Sequence, residues 1–211
     1  MSEYSVSRHS INPAPTVLPT SRTLQRDATR RQLVQAGLRL VAERGFAGAT
    51  TAAIAEASGK AHGTVFVHFR TRDVLVAELV AEIGKTMSQQ LAQTPNDSPE
   101  LPEVLDSHLA ALGQHEVFYA RLLCEASTLP DAARARLFAL QSGVAWRLRT
   151  AYEREVARGA ARDLDPVALA NMWIALTNHY LMNRDLFAPG ASVIAARGAE
   201  LKAQWLAMVR P

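Results

Sequence analysis

Residues 50–72 read TTAAIAEASGKAHGTVFVHFRTR. The stretch contains two short helical patterns, the first capped by Thr50 and the second running from about Ala61 to Val67, with Gly59 as the turn between them. A longer amphipathic pattern precedes them and ends at Gly45. Three helices of which the last two are short and joined by a tight turn are typical of a helix-turn-helix.

The second short helix carries side chains that suit a DNA major groove. Val65 and Phe69 lie four residues apart and are expected to face the core, which leaves Gly63, Thr64 and His68 accessible. Short side chains allow the backbone of a helix to approach base edges closely. Arg70 and Arg72 follow directly, where a phosphate strand could run.

Charge is distributed unevenly along the chain. Between Arg22 and Arg72 there are nine basic and three acidic residues, a net charge of +6, whereas residues 73–211 carry a net charge of −3. A basic segment joined to a mildly acidic one indicates a polyanionic partner for the basic part. An uneven but solvated surface is the alternative, and Arg26, Arg30 and Arg31 are expected to be solvated and to attract DNA only generally.

The predicted fold class is all-α, with about nine helices in three segments. Residues 1–22 are rich in Ser, Thr and Pro and are predicted to be a flexible arm. Residues 23–70 form the predicted three-helix head, and residues 71–211 the predicted ligand-binding and dimerisation body. Cys124 is the only cysteine, and neither a secretory signal nor an 18-residue apolar span is found, which favours a cytoplasmic protein without a membrane segment.

Two late helical patterns indicate a homodimer. The eighth predicted helix, from about Asp165 to Phe187, is apolar nearly all round, and the ninth has a short heptad pattern. Two copies of each would form a four-helix interface around a two-fold axis. The side chains predicted at this interface are Leu169, Trp173, Leu176, Ile194, Leu201, Trp205 and Met208.

A sensor pocket for a small-molecule effector needs apolar walls and a few polar anchors. Polar or adaptable side chains on otherwise apolar helix faces are the candidates for it: Met87, His108, Cys124, Trp146, Asn171, Asn178 and His179. For each of them the alternative is a hydrogen-bonded polar group of the core or of the interface.

In about residues 26–80 the chain resembles the TetR family of bacterial repressors. The resemblance is carried by Gly45-Phe46, Thr50-Thr51, Ile54-Ala55, Ala57, Gly59, the run from Gly63 to Phe69, and Arg72-Asp73-Val74-Leu75. It implies that Thr64 and Phe66 touch the DNA backbone or bases, and that His68 and Arg72 contact phosphate. Arg72 replaces the family's lysine and keeps its charge.

The chain departs from the family pattern at the start of the recognition helix. Ala61 stands where Ser or Thr usually caps this helix, at a cost of about 0.5–2 kcal/mol. Phe66 lacks the hydroxyl of the usual tyrosine, and Ala52 and Ala53 replace residues that are often polar. Lys60 and His62 are therefore added to the predicted DNA-binding set, which is Thr50, Thr51, Lys60, His62, Gly63, Thr64, Phe66, His68 and Arg72.

These patterns predict a ligand-responsive transcriptional regulator, in which an effector moves the heads through the fourth helix and releases a palindromic operator in duplex DNA. No metal spacing, nucleophile elbow or glycine-rich phosphate loop is found, so neither an enzyme nor a cofactor is predicted. Two alternatives remain open. One is an all-helical enzyme using His108 or His179 as a base, and the other is a DNA-binding dimer without a ligand.

Overall fold

The computed structural model describes residues 20–93 and 98–211, and within these ranges all regular structure is helical. The ten α-helices there are α1 Ser21–Gly48, α2 Thr51–Ala57, α3 His62–His68, α4 Arg72–Ala92, α5 Leu101–Gln114, α6 Glu116–Glu125, α7 Asp131–Ala157, α8 Pro166–Met182, α9 Arg184–Phe187 and α10 Val193–Val209. The all-α prediction is confirmed. The predicted eighth helix is divided, because it ends at Met182 and the short α9 follows.

Most of the predicted arm, residues 1–19, lies outside the described residues, as do positions 94–97 of the loop predicted between Gln93 and Pro99. Thr20 caps α1, whose first turn therefore includes the last two residues assigned to the arm. None of the described helices combines the length and apolar character that crossing a bilayer requires.

Local capping sets the helix boundaries of the head as the sequence predicted. The Thr50 hydroxyl accepts a hydrogen bond from the Ala53 N–H at 3.1 Å, and the Thr71 hydroxyl accepts one from the Val74 N–H at 3.2 Å. Gly59 turns the chain between α2 and α3 with φ +65°. Gly45, with φ +72° and ψ 176°, breaks α1 near its end, so that the last residues of α1 leave in a new direction.

The body packs around α4, α5, α7 and α8. Helix α4 begins directly after the head and then packs along α7 and α5, while α8 lies against α6, α7 and α10. Helix α1 contacts both α4 and α6, so the head touches the body at two places. A movement of α6 or α4 would therefore act directly on the helix that supports α2 and α3.

The structure corrects the predicted dimer interface. Five of its seven side chains lie in the core of the protomer: Leu169, Trp173, Ile194, Leu201 and Trp205. Leu176 and Met208 are half-buried against the same core. The heptad pattern of α10 serves packing on α5 and α8 of the same chain, where the rings of Trp173 and Trp205 meet edge to face at 5.9 Å. Side chains that their own chain encloses cannot contact a partner in this conformation.

Candidate nucleic-acid interface

Helix α3 presents one face to solvent and one to the core. Val65 and Phe69 are buried, as their spacing predicted. On the opposite face Phe66 is 45% and Val67 70% exposed, and a Cβ added at Gly63 would meet nothing within 4 Å. The exposed face of α3 is therefore open for close approach by a large partner. A phenyl ring and an isopropyl group facing water are costly unless a partner covers them.

A polar contact fixes α3 against α2. The Thr51 hydroxyl lies 3.0 Å from Nε2 of His62, and the His62 ring packs edge to face on Phe66 with centroids 5.2 Å apart. The structure thus brings together three residues of the predicted DNA-binding set on the α2–α3 side of the head. Thr50 is exposed, but its hydroxyl already caps α2.

Other members of the predicted DNA-binding set are partly buried or hydrogen-bonded within the chain. Lys60 is half-buried in the turn after Gly59, and Thr64 is half-buried on α3. The guanidinium of Arg72 donates to the Phe46 carbonyl at 2.6 Å, so this side chain is tied to the end of α1. Since a guanidinium has five N–H donors, the bond leaves others for a phosphate.

His68 lies at the C-terminal end of α3. Burial lowers its pKa below 6.5, and the nearby Arg26 and Arg30 guanidinium groups lower it further. An imidazole N–H can donate a hydrogen bond to a phosphate oxygen. The phosphate contact of His68 stays a prediction.

Arg30 has a structural role that the sequence did not reveal. Its guanidinium donates to the His68 carbonyl at 3.2 Å, pairs with Glu78 at 2.8 Å and lies 4.5 Å from the centroid of the Phe69 ring. These contacts join α1, α3 and α4. The expectation that Arg30 is merely solvated is wrong, because its partners lie 38 to 48 residues further along the chain.

A basic groove flanks α3 and was also missed by the sequence interpretation. It has a volume of about 880 Å³ and lies between the first turns of α1 and the end of α3. Among its lining residues are Arg22, Arg26, Arg30, Val67 and His68, and Asp27 is the one acidic member among the described residues. It extends the positive surface of the head beyond the recognition helix.

The head and the body are joined at the kink of α1. The Glu125 carboxylate, at the end of α6, accepts hydrogen bonds from the Phe46 N–H at 3.1 and 3.3 Å. The Phe46 ring meets Phe118 of α6 edge to face at 5.5 Å. Arg72 donates a hydrogen bond to the carbonyl of Phe46. The backbone of Phe46 is therefore bonded both to the body, through Glu125, and to the start of α4, through Arg72.

The seven predicted effector-binding residues do not converge. They lie on five helices: Met87 is buried, Asn178 is half-buried, and Cys124, Trp146, Asn171 and His179 are exposed. Clefts of about 880 and 680 Å³ are lined by other residues. Met87 lies in the core because α4 directs its whole apolar stripe inward.

His108 is buried and already bonded. Its Nδ1 accepts a hydrogen bond from Nε1 of Trp173 at 2.9 Å, and burial lowers its pKa to about 4. A side chain that is enclosed, neutral and hydrogen-bonded is poorly placed to act as a general base on a substrate. The alternative reading of His108 as a satisfied core histidine fits this geometry.

The chain is similar in sequence to known regulators of transcription. Residues 33–79 match the sequence profile of the bacterial regulatory proteins of the tetR family. An uncharacterised HTH-type transcriptional regulator of Mycobacterium tuberculosis is 34% identical over 85 residues, which cover 38% of this chain and 44% of that protein. The chain thus matches less than half the length of this relative. The HTH-type transcriptional repressor AcnR of Corynebacterium efficiens is 25% identical over 165 residues, covering 78% of this chain and 84% of AcnR.

Solved structures share the fold along most of the chain. A TetR-family regulator from Agrobacterium tumefaciens has a TM-score of 0.74 at 16% identity, covering 88% of this chain and 100% of that one. A putative transcriptional regulator from Saccharomonospora viridis, in complex with choline, has a TM-score of 0.74 at 19% identity, covering 88% and 99%. The matched family and relatives are regulators of transcription and not enzymes.

Proposed function

The chain belongs to the TetR family of bacterial regulatory proteins, and from this premise we propose that it represses transcription by binding duplex DNA through α3 until a small molecule releases it. The observation that carries the proposal is the exposed face of α3, with Gly63 open to solvent and Phe66 and Val67 uncovered. A DNA major groove is wide enough to receive this face, and the DNA phosphates match the charge of the basic groove beside it.

The net charge of the head supports DNA as the partner. The +6 between Arg22 and Arg72 is sufficient for several phosphate contacts, and each contact releases counterions. The proposed base-reading and phosphate-contacting residues remain those predicted from the sequence. To them we add Arg22 and Arg26 of the basic groove as phosphate contacts.

A homodimer would place two such heads on a palindromic operator, and the structure suggests a different interface for it. Helix α8 has no Asp, Glu, Lys or Arg between Pro166 and Met182. Its outer face exposes residues at spacings of four and three: Ala168, Met172, Ala175, His179 and Met182. Met172 is 48% and Met182 49% exposed, so this uncharged face is left for a second copy to cover.

The outer face of α10 complements it. Its exposed side is rich in small residues, namely Ala196, Ala199, Ala203 and Ala207. Since α8 and α10 are neighbours in the protomer, two copies of the pair would form a four-helix interface in which small residues admit the methionines of α8. The helices proposed for dimerisation thus stay the same, while the side chains that face the partner change.

An effector would release the DNA by acting on the hydrogen bond between Glu125 of the body and Phe46 of the head. A ligand that shifts α6 would move the Glu125 carboxylate, and with it the end of α1 that carries α2 and α3. The repressor name of the AcnR relatives and the choline complex of the S. viridis regulator support repression and a small-molecule effector, respectively. A coupling free energy of about 1–3 kcal/mol between the two sites would suffice.

The proposal is tested by selecting bound DNA from a random duplex pool and measuring affinity for the winning sequence by fluorescence anisotropy at several salt concentrations. We expect a palindromic winner, two protomers per duplex, and an affinity that falls steeply with salt. Thr64→Ala should weaken this binding, whereas Ser142→Ala, at an exposed position of α7, serves as the matched control. The absence of salt-sensitive affinity for any duplex would refute DNA binding.

A further inference from the structure

A cleft of about 680 Å³ opens where the head meets the body. Its walls come from α1, α4, the α5–α6 junction and the segment joining α9 to α10. We call it the junction cleft and define it by Leu38, Arg39, Glu82, His115 and Phe118. Pockets of about 300–1,000 Å³ accommodate small organic ligands.

Two charged residues of the junction cleft are already used by the protein. The Glu116 carboxylate, which is buried, accepts hydrogen bonds from the Ser192 hydroxyl and from the N–H groups of Val193 and Ile194. Arg184 lies 3.9 Å from Glu116. The Glu116 carboxylate holds the N-terminus of α10 in place and has little capacity left for a ligand, while Arg184 is paired with Glu116 and Asp185.

The other two charges are unused. Arg39 on α1 and Glu82 on α4 line the same cleft, and within residues 20–93 and 98–211 neither forms an ion pair with the other or with a third residue. His115 adds an imidazole whose Nε2 is buried without a hydrogen-bond partner among the described residues, and burial lowers the pKa of this side chain. A cation, an anion and an unsatisfied imidazole therefore line one cleft, together with the apolar side chains of Leu38, Ile83 and Phe118.

We infer that the junction cleft binds an amphipathic α-amino acid, with the ligand carboxylate on Arg39, the ammonium on Glu82 and the side chain on Leu38 and Phe118. A guanidinium matches a carboxylate with two parallel hydrogen bonds, and a carboxylate is the natural partner of an ammonium. A ligand that carries only one charge would leave either Arg39 or Glu82 without a partner.

Such a ligand would connect the head to the body. Arg39 belongs to α1, while His115 directly precedes α6 and Phe118 lies in its first turn, where Phe118 also packs on Phe46 at the kink of α1. Occupation of the cleft would thus fix α1 relative to α6. That this changes operator affinity rests on the proposed function, whereas binding of the amino acid does not.

Isothermal titration calorimetry of the full chain with L-leucine, L-phenylalanine and L-tryptophan tests the inference. We expect at least one of them to bind, and Arg39→Gln and Glu82→Gln each to weaken that binding by about tenfold or more. Lys85→Gln, an exposed charge on α4 outside the cleft, is the matched control and should leave the affinity unchanged.

Ligands that lack the ammonium group test separately whether Glu82 binds the ammonium and whether Arg39 binds the carboxylate. If phenylalanine binds, 3-phenylpropanoate, which lacks the ammonium, should bind the native chain more weakly, and Glu82→Gln should not weaken it further. The same comparison applies to the corresponding acids of leucine and tryptophan.

Two results would overturn the inference: no heat of binding with any of the three amino acids at millimolar concentration, or native affinity in both Arg39→Gln and Glu82→Gln. Anisotropy with operator DNA in the absence of amino acid decides the proposed function independently. If the chain binds DNA but no amino acid, only the assignment of the junction cleft is refuted, and the proposed function stands.

Discussion

Gly45→Ala should be among the most destabilising single changes in the head, and its cost has two causes: the backbone conformation at Gly45 and the contact with Glu125. The backbone at Gly45, with φ +72° and ψ 176°, lies in a region that is essentially restricted to glycine, so a side chain there costs about 1–3 kcal/mol. The added Cβ would also lie 2.5 Å from Oε1 of Glu125. The carboxylate must then move away and release the Phe46 N–H.

Losing that bond, which is only partly buried, adds about 1–2 kcal/mol, at the lower end of the range for hydrogen bonds to charged groups. The expected total for Gly45→Ala is therefore about 2–5 kcal/mol of unfolding free energy. Glu125→Ala alone should cost only the share of the hydrogen bond. In the double variant Glu125→Ala should cost almost nothing further, because the carboxylate has already been displaced.

The assay is urea denaturation followed by circular dichroism, at one protein concentration for all variants because dimerisation would add to stability. Gly143→Ala is the matched control, since Gly143 lies within α7 and its Cβ would meet nothing within 4 Å. That change should stabilise the chain by about 0.5–1 kcal/mol. If Gly45→Ala were equally mild, or if the two costs simply added, the account of the kink would be refuted.

Four further predictions concern the cap of α3, the buried His108, the exposed face of α3 and the outer face of α8. Ala61→Ser should raise the free energy of unfolding by about 0.5–1 kcal/mol, because α3 has no side-chain cap, and an unchanged thermal midpoint would contradict it. His108, whose pKa is lowered to about 4, is neutral in the fold, so its contribution to stability is present above pH 6.5 and is lost as the pH falls from 6.5 towards 4, by at most about 3 kcal/mol. Denaturation at several pH values should show this loss in the native chain but not in His108→Asn, which keeps an acceptor for Trp173; parallel curves would argue against it. Gly63→Glu should reduce the affinity for DNA by at least about tenfold without lowering stability, whereas Gly143→Glu should leave the affinity for DNA unchanged. If anisotropy found equal affinities for the two variants, α3 would be excluded as the helix that reads the bases. Met172→Glu together with Met182→Glu should yield monomers by light scattering, whereas Phe138→Glu, also exposed but on α7, should not; a persistent dimer would place the interface elsewhere.

Predictions that depended on neighbouring residues were the most accurate. Thr50 and Thr71 cap their helices, Gly59 makes the turn, and Val65 and Phe69 face the core as their spacing indicated. In each case the partners lie within five residues along the chain, so a short stretch of sequence contains the whole interaction. The same periodicity was less accurate for the opposite face of α3, where Thr64 and His68 are half-buried and Val67 is exposed.

Predictions that required a choice between two apolar faces were less accurate. The sequence showed that α8 is apolar nearly all round and that α10 has a heptad pattern, but not which face the protomer covers for itself. The assignment of Trp173, Leu201 and Trp205 to a partner was wrong for that reason. The predicted effector residues likewise line neither of the two largest described clefts, because the direction in which each helix faces depends on its neighbours.

The sequence by itself determined the helical class, the caps and the turn around α2 and α3, and the residues that α3 directs into the core, because hydrogen bonds and periodicity within a few residues encode them. Only the tertiary structure decided that Glu125 holds the N–H of Phe46, 79 residues away, and that Arg39 and Glu82 line one cleft. Contacts at such separations depend on how whole helices pack against one another. Packing is decided by the fit of many side chains at once, and no local pattern records it.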